Sequence, residues 1–173
     1  MTEKGGYWLG LLKDWGMALV VMFAGLSTFQ YVFNPAPLGS GPAPQFALPN
    51  PVDDTIVSLA DYGDQPVLLN FWFTDCGPCR HEIPELKAWS TANPDIPIVG
   101  ISTDQYPAAV LAARSEKLGI TYTIAHDKTT EVSRDYDVSV FPTTVLVQNG
   151  EILVARVGTV DRTILDMMAK RAK

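Results

Sequence analysis

The sequence predicts an α/β domain with a central mixed sheet and helices on both of its faces, preceded by one membrane-spanning helix. Three observations predict this arrangement. Strand-like and helix-like patterns alternate from residue 45 onward. The pair Asn149–Gly150 indicates a hairpin between two late strands, and residues 15–33 carry no charge. The net charge of −6 offers no basic surface for phosphates, so no nucleic-acid partner is expected.

The elements of the domain can be placed in chain order from the hydrophobic pattern. Residues 66–73 form a nearly continuous apolar run, which is typical of a central strand buried on both faces. A helix should follow over 77–90, with a kink at Pro84. The remaining predicted elements are a strand over 96–102, a helix over 108–118, a short strand over 120–125, a short helix over 130–136, strands over 143–148 and 152–157, and a helix over 160–170.

The uncharged segment 15–33 is long enough to cross a bilayer as a helix, and aromatic side chains flank it at both ends. Lys4 and Lys13 precede the segment, and no Lys or Arg follows it before Arg80. Because positive charge favours the cytoplasmic side, this asymmetry predicts residues 1–14 inside the cell and the domain outside the cytoplasm. The sequence therefore predicts a single-pass anchor.

A spacer and the folded domain are expected after the anchor. Residues 34–44 contain four prolines and show no periodicity, which predicts an extended, semi-rigid linker. The domain should then occupy residues 45–173. A cleaved signal peptide is the alternative to a retained anchor, with Gly25 and Ser27 as small residues near a cleavage point.

The two cysteines of the chain, Cys76 and Cys79, are separated by Gly77 and Pro78. A loop this short closes little chain entropy, so the pair indicates chemistry rather than a stabilising cross-link. Because Cys76 falls where a buried strand ends and a helix begins, backbone N–H groups and the helix dipole should stabilise its thiolate at an exposed corner. We therefore expect Cys76 to attack disulfides and the more buried Cys79 to resolve the mixed disulfide.

The cysteine pair has two alternative interpretations, an inert buried pair and two zinc ligands. Zinc takes about four ligands, and His81 and His126 are the other candidates. His81 follows the pair by two residues and His126 lies in a predicted loop after another strand, and no metal and no cofactor are expected. Each histidine is predicted to lie at the surface.

Several motifs of the domain resemble the thioredoxin superfamily, and more closely its membrane-anchored TlpA-like and ResA-like members. Residues 70–80 are similar to the family's strand end and active-site motif. The resemblance implies that Pro142 is a cis proline facing the dithiol, that Phe141 tunes which substrates fit, and that Gly158 leaves room for a substrate chain. The residues implied to bind substrate or support the site are Trp72, Gly77, Pro78, Phe141, Pro142 and Gly158.

The sequence also departs from a minimal thioredoxin. The 66 residues from Cys76 to Pro142 (142 minus 76) are explained by an inserted helix and strand within 104–127, which resembles the TlpA-like group. Asn70 replaces the family's buried aspartate, so Glu82 and water are assigned to proton transfer. Asp75 replaces a tryptophan, and its carboxylate should oppose formation of the neighbouring thiolate and repel acidic partners.

The resemblance implies an enzyme, a thiol-disulfide oxidoreductase that reduces protein disulfides with electrons from a membrane thiol carrier. It further implies the inner (cytoplasmic) membrane, with the domain in the periplasm or its equivalent, and we expect a monomer. The alternatives are a disulfide oxidase or isomerase, a copper-handling thioredoxin-fold protein, and a non-catalytic docking domain. A peroxidase is not predicted, because Thr74 and Leu69 do not match the peroxide-binding pattern.

Overall fold

The computed structural model describes Met22 and residues 41–172. Within this part of the chain, no helix has the length and the apolar character needed to cross a membrane. The predicted cytoplasmic segment 1–14, the anchor 15–33 apart from Met22, and most of the linker 34–44 lie outside the described residues. The first two assignments, and the part of the linker before residue 41, therefore stay predictions.

The domain alternates strands with helices, as the sequence predicts. The elements are β1 (Gly41–Pro42), β2 (Ala47–Pro49), β3 (Ile56–Ser58), a 3-10 turn (Leu59–Tyr62), β4 (Val67–Trp72), α1 (Gly77–Ala92), β5 (Ile98–Ser102), α2 (Ala108–Lys117), β6 (Thr123–His126), α3 (Glu131–Asp135), β7 (Thr143–Gln148), β8 (Glu151–Val157) and α4 (Arg162–Ala169). Every helix and strand predicted for the domain is present, with bounds that differ by at most a few residues. Pro84 lies inside α1.

Six strands form one sheet in the order β1-β8-β7-β4-β5-β6, and β2 pairs with β3 separately. Strand β4 runs parallel to β5, and β5 runs parallel to β6. Strand β7 is antiparallel to both β4 and β8. The prediction of a central mixed sheet is therefore confirmed. The parallel pairs need crossover connections, which α1 and α2 supply.

Strand β4 lies inside the sheet, and all of its residues are buried. Its side chains alternate between the two faces. Leu69 and Phe71 pack in one cluster with Val132 of α3, whereas Leu68 packs in another with Leu86 of α1. Helices thus cover both faces of the sheet, which explains why this strand reads as a continuous apolar run.

The hydrophobic pattern does not predict β1, β2, β3 or the 3-10 turn. Each is too short to show a period. Strand β1 pairs with the beginning of β8, and the following Ala43 is buried, with its N–H donating to Gly150 O at 2.8 Å. The sheet therefore begins within the segment predicted as a linker, ahead of residue 45.

Candidate active site

Cys76 and Cys79 lie at the junction of β4 and α1, and they form a disulfide. Cys76 is the N-cap residue of α1, and its sulfur accepts a hydrogen bond from the backbone N–H of Cys79 at 3.2 Å. Pro78 suits this first turn, because its ring fixes φ and it has no N–H to leave unpaired. The structure thus places the dithiol at a helix N-terminus, where the sequence predicts it.

The accessibility of the two cysteines differs less than the sequence predicts. Cys76 is 6% exposed and Cys79 is fully buried. The prediction of an exposed corner is wrong for Cys76, because its side chain packs in a cluster with Trp72 and Ile83. The intervening Gly77 is exposed. Cys76 is still the more accessible of the two cysteines.

The peptide bond between Phe141 and Pro142 is cis, as the family resemblance implies. Pro142 is buried, and the Thr143 hydroxyl donates to Val140 O at 2.8 Å in the same loop. The Phe141 ring contacts Phe73 edge-on, with 5.5 Å between ring centroids. Phe141 also packs against the cluster that contains both cysteines. The cis-proline loop therefore lies beside the dithiol.

Gly158 follows β8, and its N–H donates to Pro142 O at 2.8 Å. Its φ of +90° favours glycine, and a Cβ at this position would meet no atom within 4 Å. Open space next to the cis proline fits the implied role of leaving room for a substrate. The neighbouring residues Val140 and Val157 are 52% and 43% exposed, so two apolar side chains are exposed next to the cis-proline loop and Gly158.

Trp72 is buried at the end of β4 and packs with both cysteines. Its indole lies close to Gly100 of β5. A Cβ at position 100 would lie 3.0 Å from Trp72 Nε1 and 3.1 Å from Tyr122 Cε2. A side chain at this position would therefore press on the indole and on Tyr122, so glycine leaves the space that these two rings occupy. Trp72 therefore supports the site as part of the hydrophobic cluster that contains both cysteines.

Glu82 lies one turn along α1 from Cys79, on the same side of the helix, and is only 2% exposed. Its Oε1 accepts a hydrogen bond from Asn70 Nδ2 at 2.8 Å, and its Oε2 accepts one from the backbone N–H of Val160 at 2.9 Å. Asn70 also donates to Thr144 Oγ1 at 3.1 Å. A buried polar cluster thus adjoins the resolving cysteine.

Burial raises the pKa of Glu82 to about 7, although the hydrogen bonds from Val160 and Asn70 favour the ionised form. A carboxyl group with this pKa can accept and release a proton at neutral pH. Glu82 also lines a groove of about 630 Å³ together with His81 and Thr159. Glu82 is thus a buried residue that borders a groove of the surface.

Asp75, directly before Cys76, is not a free carboxylate. Arg114 Nη1 of α2 donates to its Oδ1 at 2.9 Å, and the Tyr106 hydroxyl donates to its Oδ2 at 2.8 Å. The hydrogen bond from Tyr106, followed by that from Arg114, lowers the pKa of Asp75. The expectation that the Asp75 carboxylate opposes formation of the thiolate stays a prediction, and the structure adds that a cation lies against this carboxylate.

Tyr106, Arg114, Asp104 and Thr74 are the residues around the site that sequence reasoning misses. Thr74 donates to Asp104 through its N–H at 2.9 Å and through its hydroxyl at 2.7 Å. The guanidinium of Arg114 lies over the Tyr106 ring, 4.1 Å from its centroid. The bonded partners are 30 to 40 residues apart, so no local motif links them. The predicted insertion over 104–127 is the one feature of the sequence that points to Asp104, Tyr106 and Arg114.

The two histidines lie in different environments. His81 is exposed on α1, as predicted. His126 is buried at the end of β6, with Nε2 2.8 Å from the backbone oxygen of Asp104. Its predicted surface position is wrong, because β6 pairs it with Ser102 of β5. Among the described residues, no group of three or more His, Cys, Asp or Glu side chains could hold a metal ion.

Comparison with known proteins yields relatives that are similar in sequence to this chain. The chain is 34% identical over 128 residues to the thiol-disulfide oxidoreductase ResA of Oceanobacillus iheyensis. That match covers 69% of this chain and 66% of the relative, slightly less than two thirds of its length. The chain is also 30% identical over 162 residues to the thioredoxin-like protein YneN of Bacillus subtilis, covering 88% of this chain and 94% of that protein.

A solved structure and a family model agree with these relatives. The thioredoxin domain of a thiol-disulfide oxidoreductase from Bacteroides vulgatus matches with a TM-score of 0.67 at 25% identity, covering 78% of this chain and 98% of that chain. The AhpC/TSA family model matches residues 40–159, a stretch that contains the dithiol, the insertion and the cis proline. The chain therefore has a thioredoxin-like fold and belongs to the AhpC/TSA family.

Proposed function

We propose that this chain is a thiol-disulfide oxidoreductase that reduces protein disulfides through Cys76 and Cys79. The observation that carries the proposal is the disulfide between these residues at the N-cap of α1, beside a cis-proline loop. Relatives that are named thiol-disulfide oxidoreductases support it. Because the match with ResA covers 66% of that protein, the substrate and the electron donor are parts of the proposal.

The reaction is two successive thiol-disulfide exchanges. The Cys76 thiolate attacks a substrate disulfide, so a mixed disulfide forms and one substrate sulfur leaves and takes up a proton. Cys79 then loses its proton and attacks the sulfur of Cys76, which restores the internal disulfide and releases the second substrate thiol. Two electrons pass to the substrate. A thiol donor, which we take to be a membrane thiol carrier, returns the chain to the dithiol by the reverse exchanges.

We assign the proton of Cys79 to Glu82. Cys79 is fully buried, so bulk water is a poor acceptor for its proton. Glu82 is the buried carboxyl one turn along the same helix, and its pKa of about 7 lets it accept a proton at neutral pH. Asn70 cannot take this role because an amide does not titrate, but its hydrogen bond orients Glu82.

The substrate is proposed to lie across the cis-proline loop. Val140 and Val157 offer exposed apolar contacts on this surface, and Gly158 leaves space between them. The partly buried Phe141 contacts Phe73 and should limit the bulk that fits next to the dithiol. An extended segment with an apolar side chain near its cystine suits this surface.

The proposal includes a location, which the sequence supports. Residues 15–33 would anchor the chain in the inner membrane, 1–14 would lie in the cytoplasm, and the domain would lie in the periplasm or its equivalent. Protease added to intact spheroplasts should then digest the domain. Protection of the domain until the membrane is permeabilised would place it on the cytoplasmic side and contradict this part of the proposal.

The activity can be tested by trapping. In the full chain, Cys79→Ser should accumulate mixed disulfides with substrate proteins, because Cys76 attacks but nothing resolves the bond. These adducts should disappear on treatment with dithiothreitol. Cys76→Ser is the matched control and should form none. If the two variants trap equally little from an oxidised periplasmic extract, the chain does not exchange with protein disulfides.

A further inference from the structure

The inserted unit, residues 104–127, is bonded to both residues that precede Cys76. Asp104 accepts hydrogen bonds from the N–H and the hydroxyl of Thr74 at 2.9 and 2.7 Å. Arg114 donates to the Thr74 hydroxyl at 3.2 Å and to Asp75 at 2.9 Å. Thr74 and Asp104 are both buried, so this end of the insertion is fixed against the start of the active-site turn.

Asp75 places a negative charge one residue from the nucleophile. Its side chain is 60% exposed, whereas that of Arg114 is 38% exposed. The hydrogen bonds from Tyr106 and Arg114 lower the pKa of Asp75, so the carboxylate stays charged at every pH at which exchange is measured. Like charges close together disfavour each other, so an uncompensated Asp75 would disfavour a thiolate at Cys76.

We propose that Arg114 is a positioning residue of the active site, which compensates the charge of Asp75 and thereby favours the ionised form of Cys76. Tyr106 completes the arrangement: its hydroxyl donates to the second oxygen of Asp75, and its ring lies under the guanidinium. The insertion therefore acts on the nucleophile through Asp75. This inference deepens the proposed function and rests on it.

Other ionisable groups surround the same corner, and the test must separate Arg114 from them. Arg80 and Lys117 line a groove of about 180 Å³ together with Asp75 and Arg114. Among residues 41–172, Arg114 is the cation in direct contact with Asp75. The charged and titratable groups near Cys76 are Asp75, Arg80, Arg114 and Lys117 in this groove, Tyr106 and Asp104 in the insertion, and Cys79, His81 and Glu82 on α1.

The test is the rate of alkylation of Cys76 by iodoacetamide against pH, in a Cys79→Ser background so that one thiol reports. Arg114→Gln should move the midpoint of the rate-against-pH profile to higher pH. Below this midpoint, alkylation should be slower by about threefold to tenfold. Asp75→Asn should move the midpoint to lower pH, because the guanidinium is then uncompensated. The double variant Asp75→Asn/Arg114→Gln should have a midpoint close to that of the parent. Arg114→Lys should also keep most of the parent's pH profile, because it keeps the positive charge.

Two further measurements separate electrostatics from damage to the fold. The effect of Arg114→Gln should shrink as salt is raised, since both partners are partly exposed. Arg162→Gln, an exposed arginine on α4, should leave the profile unchanged. Equal profiles for the parent and Arg114→Gln, or shifts of Arg114→Gln and Asp75→Asn in the same direction, would overturn the inference. Alkylation does not require a protein substrate, so loss of the proposed function would show separately, in the trapping experiment.

Discussion

Two carboxylates flank the dithiol, and they lie in opposite environments. Glu82 is buried next to Cys79, and desolvation raises its pKa to about 7. Asp75 is exposed next to Cys76, and hydrogen bonds from Tyr106 and Arg114 lower its pKa. The comparison teaches that burial makes one carboxyl a proton acceptor at neutral pH, whereas hydrogen bonding keeps the other ionised at neutral pH.

The largest expected effect comes from removing the proton acceptor. Glu82→Gln keeps the shape of the side chain but cannot take the proton of Cys79, so resolution of the mixed disulfide should slow by about 100-fold near pH 7. Rapid acid quench and gel separation of the mixed disulfide would measure this rate. Glu85→Gln, an exposed glutamate on the same helix, is the control. Equal rates for both variants would remove Glu82 from the mechanism.

The two carboxylates should also give stability opposite pH dependences. For Glu82, the pKa rises from its ordinary value of 4.5 to about 7 on folding, so between these pH values the folded chain binds more protons than the unfolded chain. Stability is therefore fully present below about pH 4.5 and falls as pH rises to about 7. The total loss should be about 3 kcal/mol.

Urea unfolding of the wild type and Glu82→Gln at several pH values would measure this loss. The free energy of unfolding of the wild type relative to the variant should fall by about 3 kcal/mol between pH 4 and pH 8. The pH dependence is informative in itself, because glutamine does not titrate and the contribution of the glutamine side chain to stability is therefore the same at both pH values. A difference that does not change with pH would show that Glu82 is solvated.

Packing can be perturbed without changing either carboxylate. Gly100→Ala would place a Cβ 3.0 Å from Trp72 Nε1, so strain should destabilise the fold by about 2 kcal/mol and alter the tryptophan fluorescence. The shape of the pH profile for exchange should stay the same. Gly77→Ala is the control for stability, because its Cβ would meet no atom within 4 Å. Equal stability of the two variants would show that β5 moves to accept the methyl group.

The smallest effect on stability should come from Asp75→Asn. The folded pKa of Asp75 is lowered, so its contribution is present above its ordinary value of 3.8 and is lost as pH falls through the folded pKa. The stability contributed by Asp75 thus falls as pH falls, whereas that contributed by Glu82 falls as pH rises. Exposed ion pairs contribute little to the free energy of unfolding. The substitution should therefore shift the midpoint of urea unfolding only slightly, and this shift should vanish in acid. A larger effect in acid than at neutral pH would contradict the lowered pKa.

Features set by neighbouring residues were predictable from the sequence. The apolar run that forms β4, Pro78 in the first turn of α1, and the Asn149–Gly150 turn are all local signals. Asn149 and Gly150 have positive φ, which is the reason that this pair favours a hairpin. Because the dithiol lies where a predicted strand meets a predicted helix, its place in the fold could be read directly.

Features that depend on distant contacts could not be read in the same way. The burial of Cys76 depends on packing with Leu111 and Ile124 from the insertion. The compensation of Asp75 depends on Arg114, which lies 39 residues away in the chain. His126 is buried because strand pairing places it beside β5. Each of these contacts is fixed by the tertiary fold, and no short window of sequence contains both partners.

The central claim is that Cys76 and Cys79 form a reducing couple, and its reduction potential tests this most directly. The full chain in detergent would be equilibrated with glutathione or dithiothreitol buffers, and the free thiols would be trapped and counted. A reductant should have a potential near that of thioredoxin, about −270 mV. A potential at or above about −180 mV, the value of protein disulfide isomerase, would contradict the reducing direction.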